Sequence, residues 1–340
     1  MRNAWIISEG SPGHISQSVG LAAALKEKIP LTVQTFECRP RLNGVMRSVV
    51  RAWMGSQGKP LSRTRLENWL HVQPMPAPDA KPDLIISSGG KSVFAGRSLA
   101  AQTGAPYVFL GERKPYRSEW FHTVFTPSTL ERGVNDFLIE MIPTQITRAR
   151  VEQAAGEWPE RPNERVWAMI VGGKSASHSF APSDWDALAA GMNRLAKAHG
   201  IRWLLTTSRR TGAESEKHLR AKLSSDLLAK GVWWSENPEK KVAAFLGAAE
   251  VVFVTQDSVT MVTEAVASAR PVLVLRPASV NLPANSFLPG YFDNLERAGR
   301  IRRMSFKTFS QAGIDTSGFS LRERAVTDEL AELLLARLHW

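Results

Sequence analysis

The sequence predicts an α/β protein made of two doubly wound, Rossmann-like domains that face each other across a cleft. Three observations predict it. A chain of 340 residues exceeds the usual size of one hydrophobic core. Short apolar runs repeatedly end in glycine-rich or polar turns and pass into helical segments, the pattern of a parallel sheet covered by helices. That series occurs twice, on either side of a polar, proline-containing stretch from Thr144 to Glu164. The expected division is an N-terminal domain over 1–145, a linker over 146–164 with room for a helix, a C-terminal domain over 165–320, and a helical segment over 321–340.

In the first series Trp5-Ile-Ile-Ser8 reads as a buried strand, followed by the small-residue turn Glu9-Gly-Ser-Pro-Gly-His14 and a helix through Leu25. Thr32–Phe36 is the next strand. Pro74, Pro76, Pro78 and Pro82 mark a non-helical connection. Asp83–Ser87 restarts the pattern with the turn Ser88-Gly-Gly-Lys-Ser92 and a helix through Ala101. Pro106–Leu110 ends at Gly111-Glu-Arg-Lys-Pro115, and His122–Thr126 is closed by Pro127.

In the second series Arg165–Val171 runs into Gly172-Gly-Lys-Ser175, a helix follows Ser183, and Trp203–Thr207 runs into Ser208-Arg-Arg-Thr-Gly212. Another helix leads to the strand Val232-Trp-Trp234 and the helix Lys240–Ala248. Val251-Val-Phe-Val254 then passes through the polar turn Thr255-Gln-Asp-Ser258 into a helix on which Val259, Val262 and Val266 recur at helical spacing. Pro271–Leu275 is the last clear core strand. Arg322–Leu338 carries Val326, Leu330, Leu333 and Leu334 on one face and is expected to pack back on the N-terminal domain.

The single cysteine, Cys38, excludes an internal disulfide framework and a multi-cysteine metal site, so a reducing cytoplasm is the expected home. The N-terminus turns polar too soon for a signal-peptide core, and no apolar run approaches a membrane span. A net charge of +11 implies attraction to something acidic. The stretch Arg39–Arg65 carries Arg39, Arg41, Arg47, Arg51, Lys59, Arg63 and Arg65 without one acid. Within it Arg47 and Arg51 lie four apart while Met46, Val49, Val50 and Trp53 fall on another face. Two readings remain open: a basic amphipathic helix on an anionic membrane surface, or an ordinary surface helix packed by its apolar side. No nucleic-acid reading motif accompanies the charge, so nucleic acid is not an expected partner.

The turn before Ser258, Val259 and Thr260 aims backbone N–H groups and a helix dipole at one point, a seat for a diphosphate. Glu264, about two turns into that helix, can accept hydrogen bonds from a ribose diol. Asp257 would repel the diphosphate and reads as a capping or loop-fixing acid. Gly89-Gly-Lys-Ser92 and Gly172-Gly-Lys-Ser175 look like the tail of a phosphate loop, but Ile85 and Ala168 stand where that loop needs its upstream glycine, which argues against ATP hydrolysis. Gly172, Gly173 and Lys174 still qualify as diphosphate ligands, as do the guanidinium forks of Arg209 and Arg210, whose bland alternative is charge at a loop tip. His14, near a helix N-terminus that disfavours its protonation, is a candidate general base, with Glu9 and Glu112 as rivals and a structural histidine as the alternative. Asp184 and Asp186 have the form of a metal-binding pair, but Ser183 reads as an N-cap that makes both of them first-turn acids, so no metal is expected.

Ser8-Glu-Gly-Ser-x-Gly-His14 with Gln17 and Gly20, Ser88-Gly-Gly-Lys91, Gly172-Gly-Lys174, Thr206-Thr-Ser-Arg-Arg-Thr211 and Thr255–Ala265 together resemble the bacterial branch of the mitochondrial-fission-associated family, a group regarded as glycosyltransferases of the GT-B fold. The layout is more distantly similar to the peptidoglycan glycosyltransferase that adds N-acetylglucosamine to a lipid-linked acceptor. Gly10 to His14, Gly89-Gly90 and Glu264 occupy places comparable to its two glycine loops and its donor-binding glutamate, although Ser11-Pro12 between the glycines departs from its pattern. The resemblance implies transfer from a nucleotide-diphosphate sugar without metal or cofactor. The C-terminal domain would hold the donor, with the Trp234–Asn237 loop near the base. Gly10, Ser11, Gly13, Gly89, Gly90 and Lys91 would serve a lipid-linked or lipopolysaccharide-type acceptor, with Arg47, Arg51 and Trp53 on the inner face of the cytoplasmic membrane. A nucleotide-sugar 2-epimerase and a non-catalytic membrane-associated scaffold are the alternatives.

Overall fold

The computed structural model describes residues 1–39, 41–57, 60–77, 79–129 and 133–340; Lys59 and Pro78, both read from the sequence, lie outside the described residues. The chain divides into two compact units, Met1–Gln145 with Val326–Trp340, and Ile146–Ala325.

The first unit runs β1 (Arg2–Ser8), α1 (Pro12–Lys28), β2 (Leu31–Glu37), α2 (Gly44–Gln57), α3 (Arg63–Leu70), β3 (Leu84–Ser88), α4 (Val93–Thr103), β4 (Tyr107–Leu110), β5 (Thr123–Thr126) and β6 (Asp136–Leu138). The strands form one parallel sheet in the order β2-β1-β3-β4-β5-β6. Ala4 to Ser8 and all of β3 are buried, as befits strands covered on both faces. The direction of strand addition reverses between β1 and β3, so the loops after these two strands border the crevice where doubly wound sheets bind ligands.

α2 splits the face that the sequence expects to be apolar, burying Val50 and packing Trp53 while turning Met46 and Val49 outward. Val50 and Met54 are its buried residues, and Arg47 and Arg51, at compatible helical spacing, are half-buried on that same face. Val45, Met46 and Val49 point outward at 74, 49 and 63% exposure, while Trp53 is partly buried with the Arg65 guanidinium 5.1 Å from its ring.

The second unit runs α5 (Arg148–Gly156), β7 (Val166–Ile170), β8 (His178–Ser179), α6 (Pro182–His199), β9 (Arg202–Thr206), α7 (Ala213–Lys222), β10 (Leu228–Val232), α8 (Val242–Ala248), β11 (Val252–Thr255), α9 (Val259–Ala267), β12 (Val272–Arg276), β13 (Ser279–Val280), α10 (Leu288–Arg297), β14 (Arg302–Ser305) and α11 (Phe306–Gln311). Its parallel sheet has the order β10-β9-β7-β11-β12-β14, which reverses between β7 and β11, and β8 pairs with β13 as a small antiparallel ribbon. Trp167 stacks on Phe253 with centroids 5.7 Å apart and meets Trp203 edge-on at 5.9 Å. Each such buried aromatic contributes roughly 2 to 3 kcal/mol by burial.

The stretch expected to be a linker is packed structure. On α5, Val151 and Ala155 are buried, and Gly247 of α8 lets the Val151 carbonyl approach so closely that an added Cβ would lie 1.9 Å from its oxygen. Helix α6 starts two residues earlier than expected, with Ala181 as N-cap, Pro182 in the first turn and Ser183 inside the helix. Asp184 accepts the Ala181 N–H at 3.0 Å, whereas Asp186 pairs with His218 at 2.8 Å. The tryptophans expected in a strand, Trp233 and Trp234, lie beyond the end of β10. The last helix, α12 (Val326–Leu338), belongs to the first unit: Lys28 of α1 meets Glu332 at 3.0 Å, and Arg337 donates to Thr123 Oγ1 at 3.2 Å. Among the described residues no helix is long and apolar enough to cross a membrane.

Candidate functional site

At the switch point of the first unit, Glu9 and His14 form a close pair. Glu9 Oε1 lies 2.8 Å from His14 Nδ1, and Glu9 Oε2 accepts the Lys91 N–H at 2.7 Å. The Glu9 side chain is 8% exposed and the His14 side chain 42%. Burial raises the Glu9 carboxyl, but the hydrogen bond and charge of His14, with the Lys91 N–H, outweigh it and hold the group below its ordinary value. Glu9 is therefore a carboxylate near neutrality and positions the ring rather than competing with it as base. Because the carboxylate can only accept, Nδ1–H donates to Glu9, a neutral ring then carries its lone pair on Nε2, and among the described residues Nε2 meets no hydrogen-bond partner.

Gly89 makes this arrangement possible. Its φ of +86° favours glycine, and a Cβ there would stand 2.3 Å from His14 Nδ1 and 2.6 Å from Glu9 Cδ. Ser88 Oγ donates to the His14 carbonyl, tying α1 to the end of β3. Gly10, at φ +79°, turns the chain out of β1, Ser11 is the N-cap of α1, and Gly13 lies in its first turn. Tyr116, which the sequence reading missed, donates its hydroxyl to the Gly90 carbonyl at 2.6 Å. Glu112 accepts the Lys114 N–H at 3.1 Å within its own turn.

The switch point of the second unit is built differently. Asp257, its side chain fully buried, accepts the Gly173 N–H at 3.0 Å and the Thr255 hydroxyl at 2.6 Å, and pairs with Arg210 at 2.7 Å. Thr255 Oγ1 in turn accepts the Gly172 N–H at 2.7 Å, and Thr211 Oγ1 donates to the Gly172 carbonyl. The glycine amides expected to cradle a diphosphate are thus spent on the loop itself, and Arg210 serves Asp257. A Cβ on Gly172 would fall 2.2 Å from the Asp257 carboxylate, and one on Gly173 2.1 Å from the Arg210 carbonyl. Asp257 fixes loops; capping of α9 falls to Ser258, whose hydroxyl accepts the Met261 N–H at 3.4 Å.

What remains for an anion here is the start of α9 together with Lys174 and Arg209, both exposed. The first-turn N–H groups of Val259 and Thr260 have no acceptor within the helix. Glu264 is half-buried in the second turn of α9. Asn237 lines a separate surface cavity of about 610 Å³ with Arg220, Trp233 and Glu239, which none of the glycine-turn residues lines. Beside it the buried Glu216 accepts the Thr207 hydroxyl at 2.6 Å and the Ser235 N–H at 3.1 Å, and so fixes the loop that carries the exposed Trp234. His178, also missed, is 3% exposed with Nε2 unpartnered. Among the described residues no group of three or more His, Cys, Asp or Glu side chains could hold a metal ion.

Two doubly wound units with glycine turns at both switch points define a GT-B type fold, that of glycosyltransferases and related sugar-nucleotide enzymes. The UDP-N-acetylglucosamine 2-epimerase of Methanocaldococcus jannaschii is similar at 12% identity and TM-score 0.58 over 99% of this chain and 100% of that one. The Neisseria meningitidis enzyme of the same name, solved with UDP-N-acetylglucosamine, matches at 13% identity and TM-score 0.51 over 99% and 100%. UGT89C1 of Arabidopsis thaliana, solved with UDP, matches at 12% identity and TM-score 0.51 over 98% and 94%. At the level of sequence, residues 12–338 match the family described as Mitochondrial fission ELM1, and the chain belongs to that family. No curated protein sequence matches it significantly.

Proposed function

We propose that the chain is a glycosyltransferase that moves a sugar from a nucleotide-diphosphate donor, held by the second unit, to a hydroxyl of a lipid-linked or cell-envelope glycan bound by the first. The observation that carries this reading is the Glu9–His14 pair fitted against Gly89. His14 Nε2 takes the acceptor hydroxyl proton as the oxygen attacks the anomeric carbon, and the bond from that carbon to the donor phosphate breaks. The departing diphosphate is met by Lys174, Arg209 and the N–H groups that open α9, so the reaction as proposed calls on no metal or cofactor. Glu264 holds the ribose of the donor. The UDP and UDP-sugar in the similar structures support a nucleotide-sugar ligand.

The same reading puts the enzyme on the inner face of the cytoplasmic membrane, with the outward Val45, Met46 and Val49 of α2 entering the lipid boundary. Partition onto anionic vesicles is expected to fall when Met46 and Val49 are both changed to Glu; unchanged partition removes the membrane from the proposal. The reaction is tested by incubating the protein with a panel of nucleotide sugars, with and without envelope lipid extract, and analysing products by mass spectrometry. A glycosylated lipid formed only with extract is expected. An isomerised nucleotide sugar formed from donor alone would make the protein an epimerase, and no product from any donor would favour the scaffold.

A further inference from the structure

Among the arginines of the basic stretch, the described ones divide sharply by what they touch. Arg39 pairs with Glu37 at 2.8 Å, Arg41 meets His71 at 3.5 Å, Arg63 donates to the Pro76 carbonyl at 2.7 Å, and Arg65 lies over Trp53 and Trp69. Arg47 and Arg51 have no side-chain hydrogen bond or ion pair among the described residues, although both are half-buried. None of their guanidinium nitrogens is among the buried unpartnered atoms, so both forks are open to an incoming anion. One helical turn apart on the inner face of α2, they are spaced for a single anion to engage both.

Tyr116 belongs to the core that the inner face of α2 covers. It shares a hydrophobic cluster with Val50 and Met54, and its hydroxyl holds the Gly90 carbonyl, next to Lys91, whose N–H binds Glu9. Burial pushes the Tyr116 phenol up; the Arg51 and Arg47 charges pull against this, and Glu9 adds to it, so all three charges lie within electrostatic reach of one phenol. The exposed Lys91 adds a further cation on the same loop.

We propose that Arg47 and Arg51, facing Tyr116 and the Gly90-Lys91 turn, bind a phosphate or diphosphate group of the acceptor and so hold its hydroxyl at the Glu9–His14 pair. This rests on the transferase reading for the word acceptor, but the anion site itself does not. The phosphoryl group could equally belong to a bilayer headgroup, and the test separates the two. Phenylglyoxal labels accessible arginines, and peptide mass spectrometry reads each one. Geranyl diphosphate in vesicle-free buffer is expected to slow labelling of Arg47 and Arg51 while leaving the exposed, ion-paired Arg39 unchanged. Protection that requires phosphatidylglycerol vesicles, or no protection at all, overturns the proposal. A calorimetric titration of geranyl diphosphate into Arg47→Gln and Arg51→Gln should show a loss of about tenfold in affinity for each substitution; unchanged affinity in both also overturns it. Neither readout needs donor or turnover, so failure of the transferase reading would leave this site standing, and transfer by a protein whose arginines stay unprotected would remove this site alone.

Discussion

The two switch points use the same parts to opposite ends. At β1 and β3 a mostly buried carboxylate, Glu9, holds a half-exposed imidazole and sends it outward. At β7 and β11 a fully buried carboxylate, Asp257, draws in a glycine amide, a threonine hydroxyl and a guanidinium, and its side chain does not reach solvent. In both places glycine makes room for the acid and its partners, at Gly89 in the first unit and Gly172 in the second. The repeated Gly-Gly-Lys is therefore not a repeated phosphate loop. The first turn fits around the Glu9–His14 pair and the second stiffens a loop around Asp257; in the proposed reaction the first serves proton transfer and the second leaves Lys174, Arg209 and the start of α9 to meet an anion.

The largest expected effect separates the two regions by chemistry. His14→Ala should lower turnover about 10²- to 10⁴-fold, the range for loss of a general base, with a modest loss of thermal stability as the mostly buried Glu9 loses its partner. Glu9→Gln should lower kcat by less and leave donor affinity alone, because Glu9 acts through the ring; equal losses in kcat and donor affinity would place it in the donor site instead. Gly172→Ala should do the reverse of His14→Ala, costing about 2 to 4 kcal/mol in denaturant unfolding as the new methyl meets the Asp257 carboxylate. Gly90→Ala is the control: its nearest neighbour is Tyr116 at 3.7 Å, and the change should fall within about 0.5 kcal/mol.

Asp257→Asn leaves Arg210 without its partner. Because the Arg210 side chain is 32% exposed, the penalty for a stranded charge is softened to about 1 to 2 kcal/mol. A loss as large as that of Gly172→Ala would mean that the charge rather than the packing organises this turn. The smallest effect concerns pH. Glu9 is depressed in the folded protein relative to its ordinary value of 4.5, so its stabilising contribution is present above that value and lost as pH falls through the folded one. The stability gap between wild type and Glu9→Gln should therefore be widest near neutrality and close on acidification; a gap that widens in acid would show that Glu9 is not an ionised partner of His14.

Much of the fold was legible because β1, β3, β7 and β11 are buried on both faces and read as apolar runs ending in small or polar turns. The strands at the sheet edges were not. In β14, Arg302 and Arg303 are solvated or paired with Asp315, Asp293 and Glu296, and in β6 Asp136 is bound by Arg113, so neither presents an apolar run. For the site, the sequence showed which turns carry glycine beside a charged residue. It could not show which amides are already used, because Gly173 finds Asp257 across 84 positions of chain and Lys91 finds Glu9 across 82. The orientation of α2 was hidden for another reason. Its apolar residues lie on more than one face, and the arginines share the inner one with Val50 and Met54.

The division of labour between the two regions is tested most directly by calorimetric titration of nucleotide-diphosphate sugars into wild type, His14→Ala and Glu264→Ala. Wild type and His14→Ala are expected to bind the preferred donor alike, and Glu264→Ala at least about tenfold more weakly, the loss of a charged hydrogen-bond acceptor. Equal affinity of wild type and Glu264→Ala for every donor, or a loss in His14→Ala as large as that in Glu264→Ala, would contradict this.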